Sequence, residues 1–418
     1  MITIIYNIGK LYTFNHQVVP VKKAELNKCE IIENAYLVIE DDLIKAYDSG
    51  DYAKYLEKDS QLHDAEGLIV IPGLIDAHTH LVFGGSREHE YALKLAGADY
   101  LDILKAGGGI LNTVTATRKA SFDELYFKSL KFIDNMLLHG VTSLEAKSGY
   151  GLNLETEVKQ LKVVELLNEN HPCDIISTFM PAHAIPEEYK EHPQDYIDIV
   201  IDTMLPEVAR LKLAKYCDIF CEDAVFNREQ AKRILSRAQE LGYIVKIHAD
   251  EVVSMGGANL AAEIHALSAE HLMATNDEDM DLMSQANVIA NLLPATSFNL
   301  GKTYARARTM IDKGIAVSIC SDFNPGSCPN ENLQLTLQIA SRGYGMSPIE
   351  VYNSAIVNGS CSIQQNDYVG SISLGKKADL VIMDALNLEY TIYHFGSNHV
   401  KDVFKNGELV VFNKELCY

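Results

Sequence analysis

The sequence has 418 residues, of which 47% are hydrophobic and 22% charged, so it predicts a soluble globular protein with a substantial core. Its net charge of -21 argues against nucleic acid or an anionic membrane as a partner, because both attract clustered Lys and Arg. The eight cysteines form no dense framework, and there is neither a cationic secretory leader nor a membrane-length apolar run. We therefore expect a cytoplasmic protein with reduced thiols.

The N-terminal part of the chain contains short β-rich runs separated by turns, with residues 35–40 as a clear example. A mostly apolar strand is then predicted over residues 68–76, directly before His78, Thr79 and His80. Side chains at positions i and i+2 of a strand point to the same side, so the two imidazoles project together. This arrangement suits a metal ion, and the alternative is an ordinary pair of histidines in a turn.

The middle of the chain alternates short apolar runs with amphipathic segments. The predicted strands are 68–76, 140–146, 174–180, 217–223, 243–248, 267–271, 288–293 and 315–321, and helices are predicted at 122–138, 154–169, 228–241 and 255–265. This alternation is typical of an α/β protein with a (β/α)8 TIM-like barrel. A doubly wound open sheet is the alternative, but it usually has a glycine-rich turn after its first strand.

The C-terminal residues again have a β-rich pattern, at 379–383 and 400–408, and Asn406-Gly407 is typical of a hairpin turn. We therefore predict a small β-sandwich domain formed by the N- and C-terminal segments, residues 1–66 and 360–418. Residues 67–359 would then form the barrel domain.

Chemically active side chains follow several of the predicted barrel strands. His78 and His80 follow the first, His248 ends the fifth, His271 ends the sixth and Asp322 follows the eighth. The carboxyl ends of barrel strands face one shared mouth, so these side chains are expected to converge. Three histidines with an aspartate suit a divalent ion that keeps an open position for water.

The motifs around these residues resemble a known family. Residues 72–80, the strand-end histidines, Asp322 and residues 375–381 are similar to the signature of the amidohydrolase superfamily. Within it, the segments 81–87, 106–110, 147–152, 181–186, 248–251 and 322–327, in this order, resemble the imidazolonepropionase family. That resemblance implies hydrolysis of the cyclic amide of 4-imidazolone-5-propanoate to N-formimidoyl-L-glutamate in histidine degradation, by a homodimeric enzyme.

The resemblance also implies a set of site residues. One Zn²⁺ or Fe³⁺ ion per subunit would be held by His78, His80, His248 and Asp322. Substrate contacts would come from Arg87, Tyr150, His183, Glu251, Asn324, Gly326 and Ser327. Some relatives bridge two ions with a carbamylated lysine on strand four, whereas Lys147 follows strand two, so one ion is expected here.

The residue types suit the catalysis of such a reaction. An ion lowers the pKa of a water molecule bound to it towards about 7. Glu251, three residues after His248, is predicted to pass a proton from the water to the ring nitrogen, the alternative being an exposed loop glutamate. His271 is a second candidate for activating the water, and Asp322 is predicted to be both ligand and proton acceptor. The Arg87 guanidinium matches a propionate, or forms a surface salt bridge with Glu88 or Glu90.

Other functions remain open at the level of sequence. A deaminase of a heterocyclic base would also combine strand-end histidines with a glutamate after strand five. A non-enzymatic protein on an old hydrolase barrel would usually have lost ligands that this chain retains. The glycines at 107–109 lack the ending of a phosphate-binding loop and indicate a lid or a tight turn. Cys217 and Cys221 have the spacing of a metal pair but no second pair beside them.

Overall fold

The computed structural model describes residues 1–97, 108–223 and 225–418, and 17 strands lie within them. Strands β1–β5 are Ile2–Tyr12, Ile31–Glu40, Leu43–Ser49, Gln61–Asp64 and Ile69–Pro72. Strands β6–β13 are Leu74–Thr79, Val141–Lys147, Asp174–Ala182, Tyr216–Cys221, Ile244–Ala249, Ser268–His271, Ile289–Leu292 and Val317–Ile319. Strands β14–β17 are Leu380–Met383, Val400–Lys405, Glu408–Phe412 and Glu415–Leu416.

The α-helices lie mostly between the strands of the middle segment. They are Glu88–Leu95, Ile110–Lys119, Phe122–Leu138, Leu154–Asn170, Pro193–Ile199, Leu205–Leu211, Arg228–Glu240, Gly257–Glu263, Asp277–Ala286, Pro294–Leu300, Ala307–Lys313, Leu333–Tyr344, Pro348–Asn353, Gly359–Ser362 and Leu388–Tyr393. The four predicted helices are all found, with ends that differ by no more than two residues. Residues 106 and 107 of the predicted glycine motif lie outside the described residues.

Strands β6–β13 form a parallel sheet in the order of the sequence, and its two edges meet. A parallel bridge joins Thr79 to Phe323, the His80 amide donates to the Phe323 carbonyl at 2.8 Å, and the Asp322 amide donates to the His78 carbonyl at 3.1 Å. The predicted barrel is therefore confirmed. Its first and last strands join where the proposed metal ligands lie.

The terminal strands form a second, mixed sheet of nine strands. The order is β17-β16-β15-β14-β5-β1-β2-β3, with β4 beside β1. The antiparallel pair β5–β14 joins the N-terminal to the C-terminal strands, so the predicted β-sandwich segment is hydrogen-bonded as one continuous sheet. One face of this sheet buries Ile5, Leu37, Val70 and Leu380, and the other buries Ile71 and Val381. The predicted bounds of the two domains stay a prediction.

The predicted strand 68–76 is two strands that belong to different sheets. Gly73 lies between them: its amide donates to the Asp379 carbonyl at 2.8 Å, whereas the Leu74 amide donates to the Gly140 carbonyl at 2.9 Å. A Cβ at residue 73 would lie 2.1 Å from Thr142 Oγ1, so only glycine fits between the terminal sheet and the barrel. A continuous apolar run does not show where the chain leaves one sheet and enters another. The prediction of a single strand over residues 68–76 was therefore wrong.

Local sequence signals account for several element ends. The side chains of Ser121 and Glu124 form a reciprocal cap at the start of Phe122–Leu138, the pattern S-x-x-E of a capping box. Asn406 and Gly407 have φ of 50° and 79°, as the predicted hairpin between β15 and β16 requires.

All eight cysteines are free thiols. None of the described helices is both long enough and apolar enough to cross a bilayer.

The close contact at Gly73 predicts a stability effect. Gly73→Ala should destabilise the protein by about 1–3 kcal/mol through overpacking, which a lower midpoint of urea unfolding would report. Adding Thr142→Ala removes the two nearest atoms, Oγ1 at 2.1 Å and Cγ2 at 2.6 Å, and should recover part of the loss relative to Thr142→Ala alone. An unchanged midpoint for Gly73→Ala would contradict the contact.

Candidate metal centre and pocket

The first barrel strand positions two of the predicted ligands. His78 lies in β6 and is fully buried, and His80 follows it at 2% exposure. The alternation of a strand places both imidazoles on the inner side of the barrel, and their ring centroids are 5.3 Å apart. The predicted shared orientation of this pair is therefore found in the structure.

Three further side chains from distant strands meet this pair. Asp322 Oδ1 lies 3.5 Å from His78 Nε2 and 3.7 Å from His80 Nε2. The His248 ring lies 4.7 Å from that of His78 and 5.2 Å from that of His271, between centroids. Candidate ligand atoms of His78, His80 and Asp322 lie within 4.8 Å of one another, and so do those of His78, His248 and His271. The structure thus brings together the four predicted ligands. His271 lies at a similar distance from them.

Two of the histidines carry buried nitrogens that fit a metal ion. Nε2 of His78 and of His248 is buried without a hydrogen-bond partner in the described part of the chain. On the opposite side of each ring, His78 Nδ1 forms a hydrogen bond of 2.7 Å with Glu270 Oε2, and His248 Nδ1 lies 3.0 Å from Asp218 Oδ2, an ion-pair distance without hydrogen-bond geometry. A carboxylate there favours the proton on Nδ1 and leaves the Nε2 lone pair for a ligand bond. These residues therefore fit a cation.

Burial shifts the pKa of four of these side chains towards the neutral form. Burial lowers the pKa of His78 and His80, and it lowers that of His271 to about 3, so these rings are neutral, as metal ligands must be. For His248, burial lowers the pKa, but the Asp218 carboxylate opposes this effect and the net shift of the pKa is upward. Burial also raises the pKa of Asp322.

Strained backbone turns aim two of these side chains. His271 has a φ of 68° and Asp322 a φ of 57°, the left-handed region that non-glycine residues rarely adopt. Such conformations cost on the order of 1–3 kcal/mol and persist where the surrounding structure fixes them. Here the barrel holds the strand ends, and Thr296 Oγ1 donates to Asp322 Oδ2 at 2.6 Å.

Sequence reasoning missed a cluster of charged side chains below the histidines. Lys147 Nζ lies 2.9 Å from Glu145 and 2.8 Å from Asp218, and Lys246 Nζ lies 2.8 Å from Glu145. With Glu270, all five side chains have zero exposure. Lys147, whose pKa is raised because its two carboxylates outweigh burial, is a paired cation rather than a free amine open to carbamylation. The sequence does contain a signal for this cluster: charged residues at positions i and i+2 of an otherwise apolar strand, such as Glu145 and Lys147.

A cavity of about 210 Å³ opens above the histidines. Its lining comprises His80, Arg87, Ile110, Tyr150, His183, Phe220, His248, Glu251, His271, Leu300, Asp322, Asn324, Gly326 and Ser327. All seven predicted substrate-contact residues are among them. The apolar members, Ile110, Phe220 and Leu300, carry no polar signal and were missed from the sequence. The cavity suits a small polar molecule rather than a polymer.

Glu251 lies beside the candidate ligands with a shifted pKa. Its Oε2 is 3.5 Å from His271 Nε2, and its side chain is 16% exposed. Burial raises its pKa to about 7, and the Glu222 charge adds to this rise while His248 opposes it. A carboxyl group with this pKa can both accept and donate a proton near neutrality. Glu251 is therefore a largely buried pocket residue and not the exposed loop glutamate of the alternative prediction.

Two neutral polar groups cover the pocket beside His80. The His183 ring stacks on that of His80 at 4.8 Å between centroids, and its Nδ1 lies 3.2 Å from the Gly149 carbonyl oxygen. Burial, with the nearby His248, lowers the pKa of His183 to about 3. Burial raises the pKa of Tyr150, so its phenol stays protonated. Both residues can therefore exchange hydrogen bonds with an uncharged ring.

Arg87 lines the pocket and also forms the salt bridge foreseen as its alternative. Its Nε and Nη2 lie 2.9 and 2.8 Å from Glu90 Oε2. Asn324, predicted as a substrate contact, holds its own loop: Oδ1 accepts from the amides of Gly326 and Ser327 at 2.8 and 2.7 Å. Its Nδ2 donates to Ser327 Oγ at 2.7 Å. The direct contact of Asn324 with a substrate stays a prediction.

The sequence matches the model of the Amidohydrolase family over residues 69–410. It is 52% identical to the imidazolonepropionase of Fusobacterium nucleatum over 409 residues, which is 97% of this chain and 98% of that protein. It is 50% identical to the imidazolonepropionase of Streptococcus pyogenes serotype M1 over 407 residues, 97% of each chain. The chain belongs to the imidazolonepropionase family of amidohydrolases. The resemblance seen in its motifs is thereby confirmed.

Solved structures share the fold of this amidohydrolase. Guanine deaminase of E. coli superposes with a TM-score of 0.75 at 14% identity, covering 99% of both chains. Atrazine chlorohydrolase of Arthrobacter aurescens in complex with zinc gives a TM-score of 0.74 at 16% identity, covering 99% of this chain and 96% of that one. At these identities the likeness concerns the fold alone.

The contact between Asp218 and His248 predicts a loss of metal affinity in this amidohydrolase. Asp218→Asn keeps the shape of the side chain but removes the charge that orients the ring, so affinity for Zn²⁺ should fall about 10–100-fold. Competition with a chromogenic chelator measures this. Asp379→Asn is a matched control, because Asp379 is a buried acid paired with Lys405 at 2.7 Å in the terminal sheet. Equal affinities for folded wild type and Asp218→Asn would contradict the role of Asp218.

Proposed function

We propose that this amidohydrolase opens the ring of 4-imidazolone-5-propanoate to give N-formimidoyl-L-glutamate in histidine degradation. One observation carries the proposal: a single cavity is lined by three of the four candidate ligands, His80, His248 and Asp322, together with Glu251 and the arginine expected for a propionate. The relatives of about half-identical sequence that are named imidazolonepropionase support the same assignment.

The proposed cofactor is one Zn²⁺ or Fe³⁺ ion per subunit, held by His78, His80, His248 and Asp322. Their convergence and the two buried Nε2 atoms support this ligand set. When bound, such an ion acts as a Lewis acid and activates water. The zinc in the atrazine chlorohydrolase complex, a protein of the same fold, is consistent with zinc here.

The proposed proton carrier is Glu251. It takes a proton from the attacking water as a general base and then donates it to the ring nitrogen, whose bond to the carbonyl carbon breaks. Its pKa of about 7 supports both directions of transfer. His271, 3.5 Å away, orients Glu251 or the water, and Asp322 acts as ligand and as a second proton acceptor.

The remaining polar residues bind and orient the substrate. Arg87 is proposed to bind the propionate, because a guanidinium donates hydrogen bonds to a carboxylate in a matching geometry. Tyr150 and His183 are placed to hydrogen-bond ring or carbonyl atoms, and Asn324, Gly326 and Ser327 form the wall beside Asp322.

We further propose a cytoplasmic homodimer with no nucleic-acid or membrane partner. The free thiols of all eight cysteines support a reducing compartment, and the net charge of -21 opposes binding to anionic surfaces. Analytical ultracentrifugation of the purified protein tests the dimer.

The substrate assignment is tested by offering imidazolone propionate, cytosine and guanine in parallel. Ring opening of the first without ammonia release from the bases is expected. Ammonia release from a base, with no ring opening, would instead assign a deaminase.

Glu251→Gln should retain the metal and lose about 10²–10⁴-fold in kcat, the range of general acid–base catalysis. Metal content by mass spectrometry and turnover measure the two effects. The control is Glu263→Gln, at a carboxylate paired with Lys232 on the surface, which should keep full activity. Normal turnover by Glu251→Gln would reassign the proton transfer to His271.

His78→Ala and Asp322→Ala should each remove the metal and the activity together. The reason is that both residues supply candidate ligand atoms to the same group. Metal analysis of the folded variants, checked by circular dichroism, measures this. Full metal content in either variant would remove that residue from the ligand set.

A further inference from the structure

The guanidinium of Arg87 lies against two neighbours, Glu90 and Gly326. Its Nε and Nη2 face Glu90 Oε2 at 2.9 and 2.8 Å, so one edge of the fork is paired. On the other side, a Cβ at residue 326 would lie 2.1 Å from Arg87 Nη1 and 2.8 Å from Cζ. The guanidinium therefore lies between a carboxylate and a glycine.

The pair with Glu90 follows from the start of a helix. The Tyr91 amide donates to the Arg87 carbonyl at 3.2 Å, which makes Arg87 the residue just before Glu88–Leu95 and places Glu90 on the same side of the first turn. Residues three apart are neighbours on a helix surface. The Glu90 side chain is only 7% exposed, and Asn112 Nδ2 lies 3.4 Å from its Oε1. The pair of Arg87 and Glu90 is thus largely buried, and the first turn of the helix sets the distance between the two side chains.

Gly326 cannot easily move away from the guanidinium. Its amide and that of Ser327 both donate to Asn324 Oδ1, which fixes the loop. A side chain larger than hydrogen at residue 326 would have to displace Arg87 Nη1, because the loop backbone is held. Glycine at this position is therefore a steric requirement of the Arg87 position rather than of a turn.

We propose that Glu90 and Gly326 form a clamp that fixes the Arg87 guanidinium in position to bind the carboxylate of the substrate. This inference rests on the proposed function, in which Arg87 binds the propionate. Because Glu90 neutralises much of the arginine charge, selectivity for an anionic substrate comes from the alignment of N–H groups more than from long-range attraction. Glu90 and Gly326 are positioning residues that determine specificity.

The test compares Glu90→Ala with wild type on imidazolone propionate and on its neutral side-chain amide. We expect KM for the carboxylate to rise about tenfold with kcat changed less than about twofold, and KM for the amide to stay constant. Glu90→Gln, which can still hydrogen-bond to the guanidinium, should recover part of the loss. Glu88→Ala, on the same helix with a 67% exposed side chain, is the control and should behave as wild type. A lower KM in Glu90→Ala would overturn the clamp, because Glu90 would then be a competitor for Arg87.

A double-mutant cycle separates the clamp from general stability. In an Arg87→Ala background, Glu90→Ala should have no further effect on KM, since Glu90 acts through the arginine. Gly326→Ala should reproduce the rise in KM for the carboxylate, and it keeps the proposal testable if Glu90→Ala does not fold. Equal effects of Glu90→Ala with and without Arg87 would overturn the proposal.

The same cycle distinguishes the two levels of inference. If Arg87→Ala raises KM but Glu90→Ala and Gly326→Ala do not, the clamp fails and the proposed function stands. If Arg87→Ala leaves KM for the carboxylate unchanged, the proposed propionate contact and the clamp fail together.

Discussion

The candidate metal centre depends on two buried contacts between a carboxylate and an imidazole, Glu270 with His78 and Asp218 with His248. Each fixes a ring and directs its Nε2 into the centre. Buried carboxylates are costly unless they are paired, and Lys147 lies between Asp218 and Glu145 for that purpose. The buried cluster has three acidic and two basic side chains, and the proposed cation would add positive charge beside it.

Above this interior, the strand ends and loops divide the remaining tasks. The strands supply rigid ligands, whereas the loops supply Glu251, Arg87 and the wall at 324–327. Rigid elements position reacting groups more accurately than loops do, and loops vary more easily with the substrate. This division explains how guanine deaminase and an atrazine chlorohydrolase can share the fold at such low identity.

The fold and the convergence of the strand-end side chains could be predicted from periodicity, whereas the substrate contacts followed only from the family resemblance. Alternating segments predicted the barrel, and barrel geometry then placed His78, His80, His248, His271 and Asp322 at one mouth. The rest depends on partners that periodicity does not specify. Lys246 is normally expected at the surface, so its place in the buried cluster was missed. The change of sheet at Gly73 was missed because both halves of the run are equally apolar.

The junction between the first and eighth barrel strands, at His78 and Asp322, joins parts of the chain that the ribosome releases far apart in time. Contacts of such large sequence separation carry a high entropic cost of closure, because the intervening chain must lose its freedom. The four proposed ligands can bind an ion together only after the eighth barrel strand, which precedes Asp322, has paired with the first. The proposed ion would add its binding free energy to the finished barrel, and would stabilise the completed fold rather than start its folding.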